Sequence, residues 1–211
     1  MSHNLSARIS GLYAITPDGQ DTAGLLRKVR QALLGGARVL QYRNKTADAK
    51  LRWEQASALR ELTREFAVPF IINDDAVLAK QVNADGVHLG GEDGSVAEAR
   101  AVLGDGKIIG VSCYNRLALA REAVNLGADY VAFGSFFLSA VKPEAAVATP
   151  DLLRQARSEM TVPLVAIGGI NLQNATLLLE VGADALAVIS AVFDAADIQS
   201  AAQQFANLNF S

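Results

Sequence analysis

The chain has 211 residues, 51% apolar and 19% charged, which suits one domain with a sizeable core and excludes a disordered chain. Nineteen basic against 22 acidic residues leave a formal charge of -3, so no general affinity for nucleic acid or an anionic membrane is expected. One cysteine, Cys113, and two histidines exclude a disulfide framework and a thiolate zinc site. Residues 1–10 lack an apolar leader, and no run nears the ~20 residues of a membrane helix. The expectation is a cytoplasmic protein.

In chain order, short apolar or β-branched runs predict strands over residues 11–16, 39–43, 69–74, 86–90, 108–113, 130–134, 163–169 and 185–190. Helical spacing fills the gaps, as at Leu25, Val29 and Leu33 or Leu59, Leu62 and Phe66. Thr149-Pro150 reads as an N-cap followed by proline at the first helical position, and Gly35, Gly127 and Gly182 stand where C-caps belong. A short motif precedes four strands: Gly36-Ala37, Asn83-Ala84-Asp85, Gly127-Ala128-Asp129 and Gly182-Ala183-Asp184. Its alanines, at 37, 84, 128 and 183, lie 47, 44 and 55 residues apart, about two βα units each time. Such spacing also suits a solenoid. The strand runs, however, are nearly all apolar, as when helices cover both faces of a parallel sheet.

The fold class predicted is therefore α/β, a single (β/α)8 TIM barrel: residues 1–10 an extension, 11–193 eight βα units, 194–211 a closing helix. An open doubly wound sheet has fewer strands and fits the count less well.

The loops after the strands of such a barrel carry its site. The second strand ends Gln41-Tyr42-Arg43-Asn44-Lys45, and alternation puts Gln41, Arg43 and Lys45 on one face. The third ends Asn73-Asp74-Asp75, the fourth runs into Gly90-Gly91-Glu92-Asp93, and the fifth reaches Ser112. After the sixth comes a loop with Ser139 and Lys142. The seventh ends Gly168-Gly169-Ile170 before Asn171, read as a helix N-cap, and the eighth ends Ile189-Ser190. Plain structural readings compete: a helix cap for Asn73-Asp74-Asp75, a tight turn for the glycines, an interior hydrogen-bonded role for His88, core packing for Cys113 and Trp53. Together, however, Arg43, Lys45 and Lys142 meet Asp74 and Asp93 on one rim. Glycine turns after the seventh and eighth strands, each opening a helix, would cradle a phosphate. Two carboxylates without histidine or cysteine suit Mg²⁺. The residues alone predict an enzyme acting on a diphosphate, with a second, phosphate-bearing partner.

At these residues the sequence resembles the thiamine phosphate synthase (thiamine-phosphate pyrophosphorylase) family. The matching segments are Tyr13-Ala14-Ile15-Thr16, Gln41 to Lys45, Ile72-Asn73-Asp74-Asp75, and Asp85 to Gly90 with Glu92-Asp93. Gly110-Val111-Ser112, Ala166 to Ile170 and Val188-Ile189-Ser190-Ala191 complete them, in register over about residues 11–193. The resemblance implies a barrel that joins hydroxymethylpyrimidine diphosphate to thiazole phosphate, or its carboxylated form, yielding thiamine phosphate and pyrophosphate. Pyrophosphate would leave first, and the thiazole nitrogen would trap the pyrimidine-methyl cation. The resemblance further implies that Gln41, Tyr42, Arg43, Asn44, Lys45, Asn73 and Lys142 bind the pyrimidine diphosphate, and that Asp74 and Asp93 bind Mg²⁺. Ser112 would lie beside the leaving group, and Ser139, Gly169, Ile189 and Ser190 would meet the thiazole phosphate. Arg43, Lys45, Ser112 and Lys142 form the implied catalytic set.

Two departures stand out. Phe137-Leu138-Ser139-Ala140-Val141-Lys142 occupies the place of the family's Pro-Thr-x-Thr-Lys, so Val141 lacks a hydroxyl worth roughly 1.5–3 kcal/mol to a phosphate. Gly91 stands where glutamine is usual. A thiazole tautomerase of the same shape and a non-catalytic phosphate-binding barrel are the alternatives; Lys45, Asn73, Asp74, Asp93 and Lys142 together speak for the synthase. The expected partners are small molecules, with neither nucleic acid nor membrane, and a homo-oligomer stays open.

Overall fold

A computed structural model describes residues 9–90, 94–137 and 148–210. Eight parallel strands close into a barrel in sequence order: β1 (Gly11–Ile15), β2 (Val39–Tyr42), β3 (Phe70–Asn73), β4 (Gly86–Leu89), β5 (Ile108–Tyr114), β6 (Tyr130–Phe133), β7 (Leu164–Ile167) and β8 (Ala185–Val188). Around them lie α1 (Thr22–Leu34), α2 (Ala49–Glu65), α3 (Ala76–Gln81), α4 (Val96–Leu103), α5 (Leu117–Asn125), α6 (Pro150–Glu159), α7 (Ala175–Glu180), α8 (Ser190–Phe193) and α9 (Ile198–Ala206). Most strands are shorter than the apolar runs suggest. Their last residues leave the extended region, Asp74 at φ +64° and Gly168 at φ +101°, and so become loop. No helix among the described residues is long and apolar enough to cross a membrane.

The strands are apolar on both faces because each face meets a different core. One set of side chains fills the barrel interior, including Tyr13, Val39, Ile71, Ile108, Tyr130 and Val165. The alternate set, such as Leu40, Phe70, Val131 and Leu186, packs outward against helix residues including Leu59, Leu153 and Leu178.

The helix ends follow local chemistry, with some departures from expectation. Asp21, Asp48, Asp75, Ser95 and Asp197 accept hydrogen bonds from the first turns of α1, α2, α3, α4 and α9. Thr149 and Pro150 open α6 as expected, without a side-chain cap bond. Gly127 and Gly182 follow α5 and α7 at positive φ. Gly35, in contrast, has right-handed backbone, and Gly36 takes the positive φ. A Cβ on Gly35 would strike the Gln199 carbonyl and Ala202, so this glycine serves the close approach of α9 to α1. The closing helix expected over 194–211 is the shorter α9. Trp53 is a correction: it is 54% exposed, because α2 turns Gln55, Ala56, Leu59 and Leu62 inward and leaves position 53 off that face.

The repeated alanine–aspartate motif has a structural role at the N-terminal rim. Asp85 accepts from Phe70 N–H (2.9 Å) and from Arg60 of α2 (2.6 Å). Asp129 accepts from Ile109 N–H (2.8 Å) and from Arg100 of α4 (2.8 Å). Asp184 accepts from Leu164 N–H (2.6 Å) and from Arg157 of α6. Each clamp joins an even strand to the odd strand and even helix before it, which explains the two-unit period.

Candidate functional site

The loop after β2 is held from below by residues of the loop after β1. Thr16, fully buried, accepts from Arg43 N–H and donates its hydroxyl to the Arg43 carbonyl, both at 2.9 Å. Asp18 accepts from Lys45 N–H (2.8 Å) and lies 3.3 Å from the Arg43 guanidinium. Sequence reasoning quotes Thr16 in a matching segment but gives neither it nor Asp18 a role, because nothing local ties them to residues 25–27 positions away. The alternation itself holds at Gln41, which points into the barrel and donates to Tyr13 Oη at 2.9 Å. Tyr42 and Asn44 present their side chains to the helix side, where both donate to Gln55 Oε1, at 2.9 and 3.0 Å. Burial pushes the Tyr42 phenol up to about 12. Asn44 also donates to the Gly19 carbonyl and accepts from Thr46 and Ala47 N–H, so it organises the loop.

The three polar residues that end β3 and follow it, Asn73, Asp74 and Asp75, take different roles. Asp75 caps α3 through Leu78 N–H at 2.8 Å, as the plain reading had it. Asp74 adopts φ +64°, its N–H donating to the His88 carbonyl at 2.8 Å, and its carboxylate lies 4.0 Å from Lys45 Nζ. A cavity of ≈ 320 Å³ opens here, lined by Arg43, Lys45, Arg52, Asn73 and Asp74 among others. Arg52 was missed in the sequence. Its buried Nε has no hydrogen-bond partner among the described residues, and its one signal is a position in the first turn of the helix that follows the basic loop.

The donors at this point are hard oxygens: the Asp74 carboxylate with the Asn73 amide beside it. Softer ligands are otherwise engaged. His88 is bonded within the barrel, and Cys113 is buried, its thiol pushed up to about 12 by burial. That set fits Mg²⁺. No group of three metal-binding side chains occurs among the described residues, and Asp93 lies outside them.

Inside the barrel, below the rim, Ser112 Oγ is 2.8 Å from His88 Nε2, and His88 Nδ1 is 2.9 Å from Tyr130 Oη. His88 is thus the interior hydrogen-bonded residue expected of it.

On the far side, Gly168 (φ +101°) and Gly169 (φ +64°) lie against the start of the loop after β6. A Cβ on either would strike Ser135 or the Phe137 backbone, and Phe137 N–H donates to the Gly168 carbonyl at 3.1 Å. Ser139 and Lys142, further along that loop, lie outside the described residues. Asn171 does not cap a helix directly. Its side chain accepts from Gln173 and Asn174 N–H, closing a turn, and α7 begins only after Asn174. After β8 there is no glycine: Ile189 precedes the single turn α8, which starts at Ser190. The two sides of the expected phosphate cradle therefore differ, and only the strand-7 side is a glycine turn.

Comparison with known proteins points to one family. The family model described as thiamine monophosphate synthase matches residues 12–192. The thiamine-phosphate synthase of Methylobacillus flagellatus is 56% identical over 200 residues, 95% of each chain. That of Nitrosospira multiformis is 54% identical over 95% of this chain and 86% of its own. The solved thiamine phosphate pyrophosphorylase from Pyrococcus furiosus superposes with a TM-score of 0.85 at 39% identity, covering 95% of both chains.

Proposed function

The chain belongs to the thiamine monophosphate synthase family, and on that premise we propose that it joins hydroxymethylpyrimidine diphosphate to thiazole phosphate, plain or carboxylated, with release of pyrophosphate. It is a transferase, and the chemistry asked of it is stabilisation of a leaving diphosphate. The observation that carries the reading is the cavity between the β2 and β3 loops, where Arg43 and Lys45 face Asp74 and Asn73.

Charge on the departing oxygens grows as the carbon–oxygen bond breaks, and fixed cations stabilise that growth more than they stabilise the bound substrate. Arg43 and Lys45 supply such cations, with Lys142 as the family's third. Asp74, with Asp93, would hold Mg²⁺, which when bound neutralises the diphosphate oxygens. The pyrimidine delocalises the positive charge left on its methylene, so no enzymic nucleophile is needed. The engaged His88 and the buried Cys113 accord with that. Gly169, Ile189, Ser190 and Ser139 would hold the thiazole phosphate, placing its nitrogen in line with the methylene.

The deciding experiment is pyrophosphate release with the pyrimidine diphosphate, Mg²⁺ and thiazole phosphate, each omitted in turn. Release that requires all three, matched by equal thiamine phosphate, is the expected result. Tight phosphate binding without release would overturn the reading in favour of a non-catalytic binder.

A further inference from the structure

Among the cations that line the cavity, Arg52 stands apart. It comes from α2 and not from a strand-end loop, and its backbone N–H donates to the Asp48 carbonyl at 3.0 Å. Its side chain shares the wall of the ≈ 320 Å³ cavity with Arg43, Lys45, Asn73 and Asp74. Arg43 stands 3.3 Å from the Asp18 carboxylate, and Lys45 4.0 Å from that of Asp74. The Arg52 guanidinium makes no hydrogen bond or ion pair among the described residues, and its Nε is shut off from water.

The arginines that serve the scaffold each hold something. Arg100 donates to the Lys107 and Gly127 carbonyls and to Asp129, and Arg157 to the Gly182 carbonyl and Asp184. Arg60 also has an unpartnered Nε, but its Nη1 meets Asp85 at 2.6 Å. Arg52 has no such partner, and it sits at the start of α2, where a cation faces the positive end of the helix. A partly buried guanidinium without a partner costs stability. An anion in the cavity would remove that cost, since a guanidinium fork matches phosphate oxygens two at a time.

The lining also says which part of a substrate Arg52 can meet. Tyr42 and Asn44, on the same wall, present their side chains to the helix side of β2 and away from the barrel axis. Arg52 therefore stands at the outer end of the cavity. Gln41 and Ser112 face the barrel interior, where the synthase reading puts the pyrimidine and the breaking bond. The part of a diphosphate that reaches outward is its terminal phosphate.

We propose that Arg52 is a substrate-binding residue that holds the terminal phosphate of the pyrimidine diphosphate and so selects a diphosphate over a monophosphate. This rests on the synthase reading. As the carbon–oxygen bond breaks, charge grows chiefly on the released oxygen, which belongs to the inner phosphate. Arg52 meets nearly the same charge before and during the reaction, so it acts on binding more than on kcat.

The test compares the full chain with its Arg52→Gln variant, which keeps most of the stem. Each is titrated by calorimetry with hydroxymethylpyrimidine diphosphate and with the monophosphate, at saturating Mg²⁺ and without thiazole phosphate. The variant should bind the diphosphate about 10–100-fold more weakly and the monophosphate as the parent does. Its KM for the diphosphate should rise by the same factor, with kcat falling far less. Its melting temperature should not fall, because the head group holds nothing within the fold. Equal weakening for both compounds, or for neither, overturns the proposal, and so does a clear loss of thermal stability. Arg52→Lys, which keeps the charge without the fork, should lose part of the same affinity, again for the diphosphate alone. A parent that binds both compounds yet makes no thiamine phosphate refutes the synthase reading instead, and the paired titrations still decide for or against Arg52.

Discussion

At the N-terminal rim of the barrel, Arg60 and Arg100 meet their aspartates at 2.6 and 2.8 Å, and each of those aspartates also accepts a strand N–H. At the C-terminal rim, Arg43 stands 3.3 Å from Asp18 and Lys45 4.0 Å from Asp74. The same residue types do different work. Short, partly buried pairs whose aspartate also accepts a strand N–H hold strands in place. Longer pairs around an open cavity leave cations able to turn toward an anionic ligand. The N-terminal rim pairs serve stability, and the proposed site lies at the C-terminal rim, as barrel enzymes divide the two.

That division can be broken by experiment. The largest effect is expected from Asp74→Ala, which should lower Mg²⁺-dependent turnover by about 10²–10³-fold. Its melting temperature should stay that of the parent; a clear drop on thermal unfolding would make Asp74 part of the scaffold. Asp85→Ala should do the reverse. It strands Arg60 and the Phe70 N–H, whose partner is lost, and should cost about 3 kcal/mol in urea unfolding with kcat retained. Val141→Thr restores the hydroxyl usual in the family and should lower the KM for thiazole phosphate about tenfold. An unchanged KM in steady-state kinetics would show that hydroxyl to be unimportant here. Smallest of all is Trp53→Gln, exposed on α2, which should change stability by less than about 0.5 kcal/mol; a loss above 2 kcal/mol would mean that Trp53 packs after all.

Much of this was legible in the sequence, and unevenly so. The strands, the barrel and the convergence of Arg43, Lys45 and Asp74 on one rim could be read there, since alternation and order along the chain carry that information. Asp75 was legible as a cap because a cap acts three residues away. Thr16, Asp18 and Arg52 were not, because their roles depend on neighbours brought together by barrel closure. Trp53 was misread for a related reason: helical spacing marks a stripe without saying which stripe faces the core. The glycine turn expected after the eighth strand failed on the residues themselves, as Ile189 and Ser190 show.

The sequence by itself determined the eight-unit barrel, the rim that bears the charged residues and, through its motif segments, the family. Periodicity and order are local properties, and they survive without coordinates. Only the tertiary structure decided what the repeated alanine–aspartate motif does, which of three adjacent polar residues caps α3, and that Gln41, Tyr13, Tyr130, His88 and Ser112 lie within hydrogen-bond distance of one another in turn. Those are facts about distances between residues up to 117 positions apart, and only closing the barrel sets such distances.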